Sequence, residues 1–404
     1  MGNASGTEQG AVDMVRKLVL EKADRLYHLP PLLDDFLPRK ERKKMLGRDV
    51  IDLARFSWPT GPSGKNSNTP LSYADEEQLT DLAEKTAAWY KARYGGRINP
   101  AKELFIGKSI RQILNLLALA YFNPGDMILV PDPGVWHYRA GAVLASAETM
   151  PYSLSERNRF KPAMSSISVG VARTARGMVL NSPHNPTGAI LSKDDLSEIL
   201  YVAGRENLML ILDQAFDGFI DGDDSASLFS IPGGRKVAVE LYSYAYNFGR
   251  PQPSCAFAVA QPTIIASLKR IAEVFSHHVD AGQWQSAMDA CAESGSKLDE
   301  MKNAFAKNRD MIDKLCDKLR LIPSPFRVGP FYWAKLPGRK QSRRFCRVLY
   351  MKAGILAVPG VAFGENGEGF IRFSLTGKPE AYQKALDATR KLFQPSKERR
   401  TGDG

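Results

Sequence analysis

Val12, Val15, Leu18, Val19, Ala23 and Leu26 recur at near-helical spacing, which predicts an amphipathic helix over residues 10–27. Leu29-Pro30-Pro31 interrupts it, and a strongly basic helix is expected over 32–46. A short strand at 49–53 leads to a loop, 56–72, rich in Ser, Pro, Gly and Asn. From residue 75 the pattern becomes regular. A helix over 75–94 ends at Gly95-Gly96, a strand at 104–107 runs into a helix over 109–121, and a buried strand at 127–130 follows the turn Asn123-Pro-Gly-Asp126. Short apolar strands at 177–180 and 208–212 flank a helix at 192–205. This strand–helix–strand alternation predicts an α/β fold, a mainly parallel sheet covered by helices.

The C-terminal quarter has another rhythm. A long helix at 296–320 precedes strands at 329–336, 355–358 and 369–375 and a helix at 378–393, as in a smaller α+β domain. The expected division is an N-terminal arm joining the small domain (1–60), a large domain (61–305), a small C-terminal domain (306–396) and a loose tail (397–404). Residues 240–259 read as strand, turn, strand, with Gly249 and two prolines at the turn.

Composition narrows the classes. The 404 residues are 44% hydrophobic and 25% charged, ordinary values for a chain with a full core. No run of eighteen apolar residues predicts a membrane span. The start, Met-Gly-Asn-Ala-Ser-Gly, lacks an apolar signal core, and Gly6 fails the myristoylation pattern, so a cytoplasmic protein is expected. Cys255, Cys291, Cys316 and Cys346 are widely spaced, as free thiols in a reducing compartment would be. The net charge of +11 is concentrated near residues 39–48, 339–347 and 397–400. No nucleic-acid motif accompanies these clusters, so they read as a solvated basic surface that draws in carboxylates, and no nucleic-acid partner is expected. No spacing suggests a metal site.

Several stretches occur in one order along the chain: Leu29-Pro-Pro31, Asp49-Val-Ile-Asp-Leu53, Trp89-Tyr90, Arg93-Tyr-Gly95, Asn123-Pro-Gly-Asp126, Val130-Pro-Asp-Pro-Gly134, Asn181-Ser-Pro-His-Asn-Pro-Thr-Gly188, Asp213-Gln-Ala-Phe216, Pro359-Gly-Val-Ala-Phe-Gly364 and Gly367-Glu-Gly-Phe-Ile-Arg-Phe-Ser-Leu375. Together they resemble the class I/II aminotransferases, fold-type I enzymes that use pyridoxal phosphate (PLP), with wording similar to the LL-diaminopimelate and aspartate branches. The resemblance implies a large parallel-sheet domain, a small α+β domain and a homodimer. It also implies roles. Asp213 would face the pyridine nitrogen, Asn185 the phenolic oxygen, and Arg372 the substrate carboxylate. Ser243, Ser109 and Lys108 would lie at the phosphate, where the start of a helix favours an anion and Arg111 adds charge. Each also has an ordinary structural reading: a capped turn at Asp213 or Asn185, an ion pair at Arg372.

Against the family pattern, Tyr246 stands at the position of the cofactor lysine and Ser254 at that of a phosphate-binding arginine. Phe216 replaces a tyrosine, and Val135 an aromatic residue that Trp136 next door can supply. A phenol cannot form an imine with an aldehyde. The lost arginine and hydroxyl contribute about 1.5–3 kcal/mol each, on the order of 10²–10⁴ in affinity together. The expectation is therefore an aminotransferase-like protein with a degenerate site and no cofactor. It would bind a small carboxylate or amino-acid-like ligand, as a pseudoenzyme subunit, alone or with an intact homologue, or in a PLP-independent reaction using Tyr246, Asp213 and His278. The alternative is an active PLP-dependent aminotransferase or lyase holding its cofactor non-covalently.

Overall fold

A computed structural model of the chain describes residues 23–37, 50–56, 72–249, 255–276, 278–293, 295–338 and 340–390. Most of the two expected N-terminal helices lies outside these residues. Where they are described, the chain forms only single 3-10 turns, Asp24–Leu26 and Leu33–Phe36, on either side of the proline pair. The Asp35 carboxylate accepts from the Leu32 amide at 2.8 Å and closes the second turn on itself.

The strands are β1 (Ile51–Asp52), β2 (Leu104–Gly107), β3 (Met127–Asp132), β4 (Glu148–Ser153), β5 (Ala175–Asn181), β6 (Met209–Asp213), β7 (Ala238–Ser243), β8 (Ala256–Ala260), β9 (Ile322–Pro323), β10 (Phe331–Lys335), β11 (Ile355–Leu356), β12 (Val358–Pro359) and β13 (Phe370–Ser374). Seven of them form the large sheet in the order β2-β8-β7-β6-β5-β3-β4. It is parallel from β7 to β4, and only β8 runs against its neighbours. Strands β7 and β8 are buried along their whole length, which explains why they read as apolar runs rather than alternating ones. The second layer is an antiparallel sheet, β12-β13-β10-β9, with the small parallel pair β1-β11 beside it. Residues near 50 thus join the C-terminal strands across some three hundred residues of sequence.

Local signals account for the helix ends. The helix Glu76–Tyr94 starts at Asp75, whose carboxylate accepts from the Gln78 amide at 2.8 Å while Gln78 returns a bond to the Asp75 amide. It stops at Gly95, in the left-handed region with φ 70°. Leu82, Ala83, Thr86 and Tyr90 form its buried face.

One expectation is corrected at the centre of the fold. The strand expected to run on to Gly249 stops at Ser243: Tyr244–Phe248 wind into a short helix that ends at Gly249, φ 74°. A Cβ on Gly249 would lie 2.6 Å from the Leu298 amide nitrogen, so the long helix Ser296–Leu319 can pack here only against a glycine. Aromatic residues suited to a strand are held in this helix by packing, with Tyr244 and Phe248 stacked 5.6 Å apart in the core.

Candidate active site

Because β5, β6 and β7 are parallel, their C-terminal ends Asn181, Asp213 and Ser243 meet at one edge of the sheet. A cleft of about 620 Å³ opens there, bounded on its other side by Arg372 of β13 and Phe331 of β10.

Asp213 is buried at the end of β6. One carboxylate oxygen accepts from the Tyr138 hydroxyl at 2.7 Å and the other from the Ala215 amide at 2.9 Å. Burial pushes its carboxyl up to about 6, more than these two bonds pull it down. Tyr138, in the helix His137–Leu144, is held well above the usual phenol range by the same burial and by Asp213, so it stays a donor. No cation among the described residues pairs with Asp213.

Across the cleft is the complementary situation. Arg372 is buried and donates to Asn185 Oδ1 and to the Ala54 carbonyl, both at 3.1 Å, while its Nε has no partner. Its guanidinium lies 4.0 Å from the centre of the Phe331 ring and 4.9 Å from that of Phe363. Desolvation lowers its affinity for the proton, from 12.5 to about 9. No carboxylate among the described residues pairs with it. Asn185 is set by Asn181, whose side chain accepts from the Asn185 amide at 2.7 Å and donates to the Asp213 carbonyl at 2.9 Å.

At the third corner Ser109 caps the helix Ile110–Tyr121 and accepts from the Gln112 amide. Lys108, Arg111 and Ser243 also line the cleft here. Lys108 is drawn to Asp280 at 3.5 Å and lies over the Tyr73 ring, whereas Arg111 lies over Trp136, 5.8 Å from the ring centre. Both Val135 and Trp136 border the cleft.

Tyr246 enters from the short helix and packs between aromatic rings, with Phe56 at 5.1 Å and Phe216 at 5.0 Å between centres. Burial and the charge of Asp213 raise its phenol pKa, and Arg111 offsets part of this. It is a neutral donor at ordinary pH rather than a base.

The cleft therefore brings together Asp213, Asn185, Arg372, Ser243, Phe216, Trp136, Lys108, Ser109 and Tyr246. It does not include His278, which is exposed beside Tyr73 with ring centres 5.2 Å apart. Ser254 lies outside the described residues. Sequence reasoning missed Tyr138, which positions Asp213, and His137 beside it, a cleft-lining imidazole that burial and Arg111 depress to about 3. It also missed Phe56, Phe331 and Arg55. The spacing Asp132-Pro-Gly134 to Tyr138 was the one available signal, and no periodic pattern marks it as functional.

A large parallel sheet, a smaller antiparallel one and a cleft with a buried acid facing a buried arginine define a fold-type I aminotransferase architecture. The chain belongs to the aminotransferase class I and II family, whose model matches residues 64–388. It is 30% identical over 387 residues to an LL-diaminopimelate aminotransferase of Halothermothrix orenii, an alignment covering 91% of this chain and 97% of that one. It is 31% identical over 320 residues to transaminase BacF of Bacillus subtilis, covering 78% and 79% of the two chains. The substrate-bound BacF structure superposes with a TM-score of 0.80 at 26% identity, covering 93% of this chain and 99% of that one.

Membership corrects the expectation that no cofactor is used: the aminotransferases of this family work with PLP. The residues present fit that group at the positions of its ring and acid functions. A buried carboxylate without a cation awaits a protonated ring nitrogen, and a helix start with Ser109, Ser243 and Arg111 awaits an anion. For the aldehyde the described cleft residues offer no spare amine. The one lysine among the described cleft residues is Lys108, turned toward Asp280. No helix among the described residues is long and apolar enough to cross a membrane, and none of their His, Cys, Asp and Glu side chains group as a metal site.

Proposed function

We propose that this protein is a PLP-dependent aminotransferase or lyase that holds its cofactor without a covalent bond and acts on an amino-acid-like carboxylate. It would work as a homodimer in the cytoplasm. The observation carrying this reading is the pair of buried charges facing one cleft that have no counter-charge among the described residues, Asp213 without a cation and Arg372 without an anion and with its Nε unpartnered. Each is costly alone, and a ligand bearing the opposite charge at each end removes both costs.

When bound, the cofactor supplies an electron-accepting ring for the pair released at the substrate Cα. Asp213, kept in place by Tyr138, holds the proton on the ring nitrogen. Asn185 would hold the ring's phenolic oxygen while accepting from Arg372, whose unpartnered Nε would take the substrate carboxylate. Ser109, Ser243 and Arg111 hold the phosphate. Tyr246 can donate a hydrogen bond but cannot capture the aldehyde, so proton transfer at Cα lacks the usual amine.

The test is a PLP titration followed by absorbance, then borohydride treatment and intact mass. Expected are a saturable visible band, its loss on dialysis, and no pyridoxyl adduct. An unchanged spectrum refutes the reading, and an adduct on any lysine refutes its non-covalent part.

A second reading is favoured by the packing of Tyr246 between Phe56 and Phe216: a subunit that binds the cofactor but does not turn over, paired with an intact homologue. It predicts the same spectrum with no amino transfer by the isolated chain.

A further inference from the structure

Four rings, Phe56, Phe216, Tyr246 and Phe331, form a connected set on the cleft. Their centres are 5.0 Å apart for Phe216–Tyr246, 5.1 Å for Phe56–Tyr246, 5.7 Å for Phe216–Phe331 and 6.3 Å for Phe56–Phe331. The pairs meet edge-on or tilted, the favourable arrangements for aromatic rings. Three of the four are only partly buried, so the set presents open ring surface to the cleft. It begins at the carboxylate-binding group itself, since the Arg372 guanidinium rests 4.0 Å from the Phe331 centre.

The cations of the cleft tell the same story from the other side. Arg55, the nearest candidate for a second carboxylate, is taken by Asp34 at 2.9 Å and Asp52 at 2.7 Å. Lys108 is taken by Asp280. Among the described cleft residues, Arg372 and Arg111 are the cations without an acidic partner, and the functional reading assigns one to the substrate's carboxylate and the other to phosphate. A side-chain carboxylate would meet aromatic carbon with no free cation among the described cleft residues to pair it, and its desolvation would go uncompensated there.

We propose that the cleft selects a 2-oxo or 2-amino monocarboxylate with an aromatic side chain, its ring lying on the wall of Phe56, Phe216, Tyr246 and Phe331 while Arg372 holds the carboxylate. This rests on reading the cleft as an amino-acid-handling site, and it parts company with a dicarboxylate specificity.

The experiment is calorimetric titration of the full chain with phenylpyruvate, pyruvate and 2-oxoglutarate. Phenylpyruvate is expected to bind about tenfold more tightly than either of the others. Phe56→Ala should erase most of that margin, and Arg372→Gln should weaken all three acids alike. Phe331→Leu keeps the apolar volume and narrows the margin in the same direction, which preserves the test if the Phe56 variant does not fold. The inference is overturned if 2-oxoglutarate binds as tightly as phenylpyruvate, if neither binds, or if the margin survives in the folded variants. PLP binding is read separately by absorbance. A preference for phenylpyruvate without PLP binding refutes the functional reading alone, and PLP binding without the preference refutes this inference alone.

Discussion

Replacing Asp213 by Asn should stabilise the ligand-free protein at neutral pH while removing its response to PLP. The carboxyl is raised from 3.8 to about 6 chiefly by burial. A folded value above the unfolded one means the native state binds the extra proton, so this group's contribution is intact below about pH 4 and is lost as pH rises through about 6. The full loss corresponds to about 3 kcal/mol at pH 7.5. Asparagine has no charge to desolvate. It can keep the Ala215 bond through its oxygen and face the Tyr138 hydroxyl with its amide, at a cost of about 1 kcal/mol for the altered geometry. A net gain of about 2 kcal/mol is expected at pH 7.5, vanishing or turning into a small net loss by about pH 4. Urea denaturation of both apo proteins at the two pH values measures it. With saturating PLP the order should reverse, because only the wild type can pair the ring nitrogen. A variant no more stable at pH 7.5, or a difference independent of pH, would refute the claim that Asp213 is an uncompensated buried charge.

Further expectations concern the neighbours. Tyr246→Lys should yield a single borohydride-trapped pyridoxyl adduct on PLP addition, while the loss of ring contacts with Phe56 and Phe216 lowers apo stability by about 1–3 kcal/mol; a variant that folds, binds PLP and gives no adduct would remove position 246 from the aldehyde's reach. Tyr138→Phe takes away one of the two donors to Asp213, and PLP affinity measured by absorbance should fall about tenfold as the acid loses its orientation. Gly249→Ala should destabilise by about 2–4 kcal/mol in chemical denaturation, since the added methyl meets the backbone of Lys297 and Leu298 and φ is 74°.

Much of the architecture is legible in the sequence. The helix at 76–94, with Asp75 before it and Gly95 after it, and the apolar strands that became β5 and β6 were found within a few residues of their observed ends. Such elements are governed by neighbours in sequence: a capping side chain three residues away, a glycine that enters the left-handed region without steric cost, a run of apolar side chains wide enough for a buried strand. Asp213, Asn185 and Arg372 were also named from their motifs, and they do line one cleft.

What escaped was set by distance along the chain. Tyr138 supports Asp213 from seventy-five residues away, and Phe56 meets Tyr246 from the far end of the sequence. No local period encodes such contacts. At 244–248 the aromatic residues favour a strand running on to the turn at Gly249, a preference overridden by packing of this short helix against the long helix Ser296–Leu319. His278 looked like a site residue by its place in the order of motifs, yet the fold leaves it exposed beside Tyr73. Residue types and local spacing determine which groups are available and where helices and strands begin. Which of those groups are buried together, and hence which charges go unpaired and await a ligand, follows from long-range packing, because desolvation depends on every atom around a group and not on its neighbours in sequence.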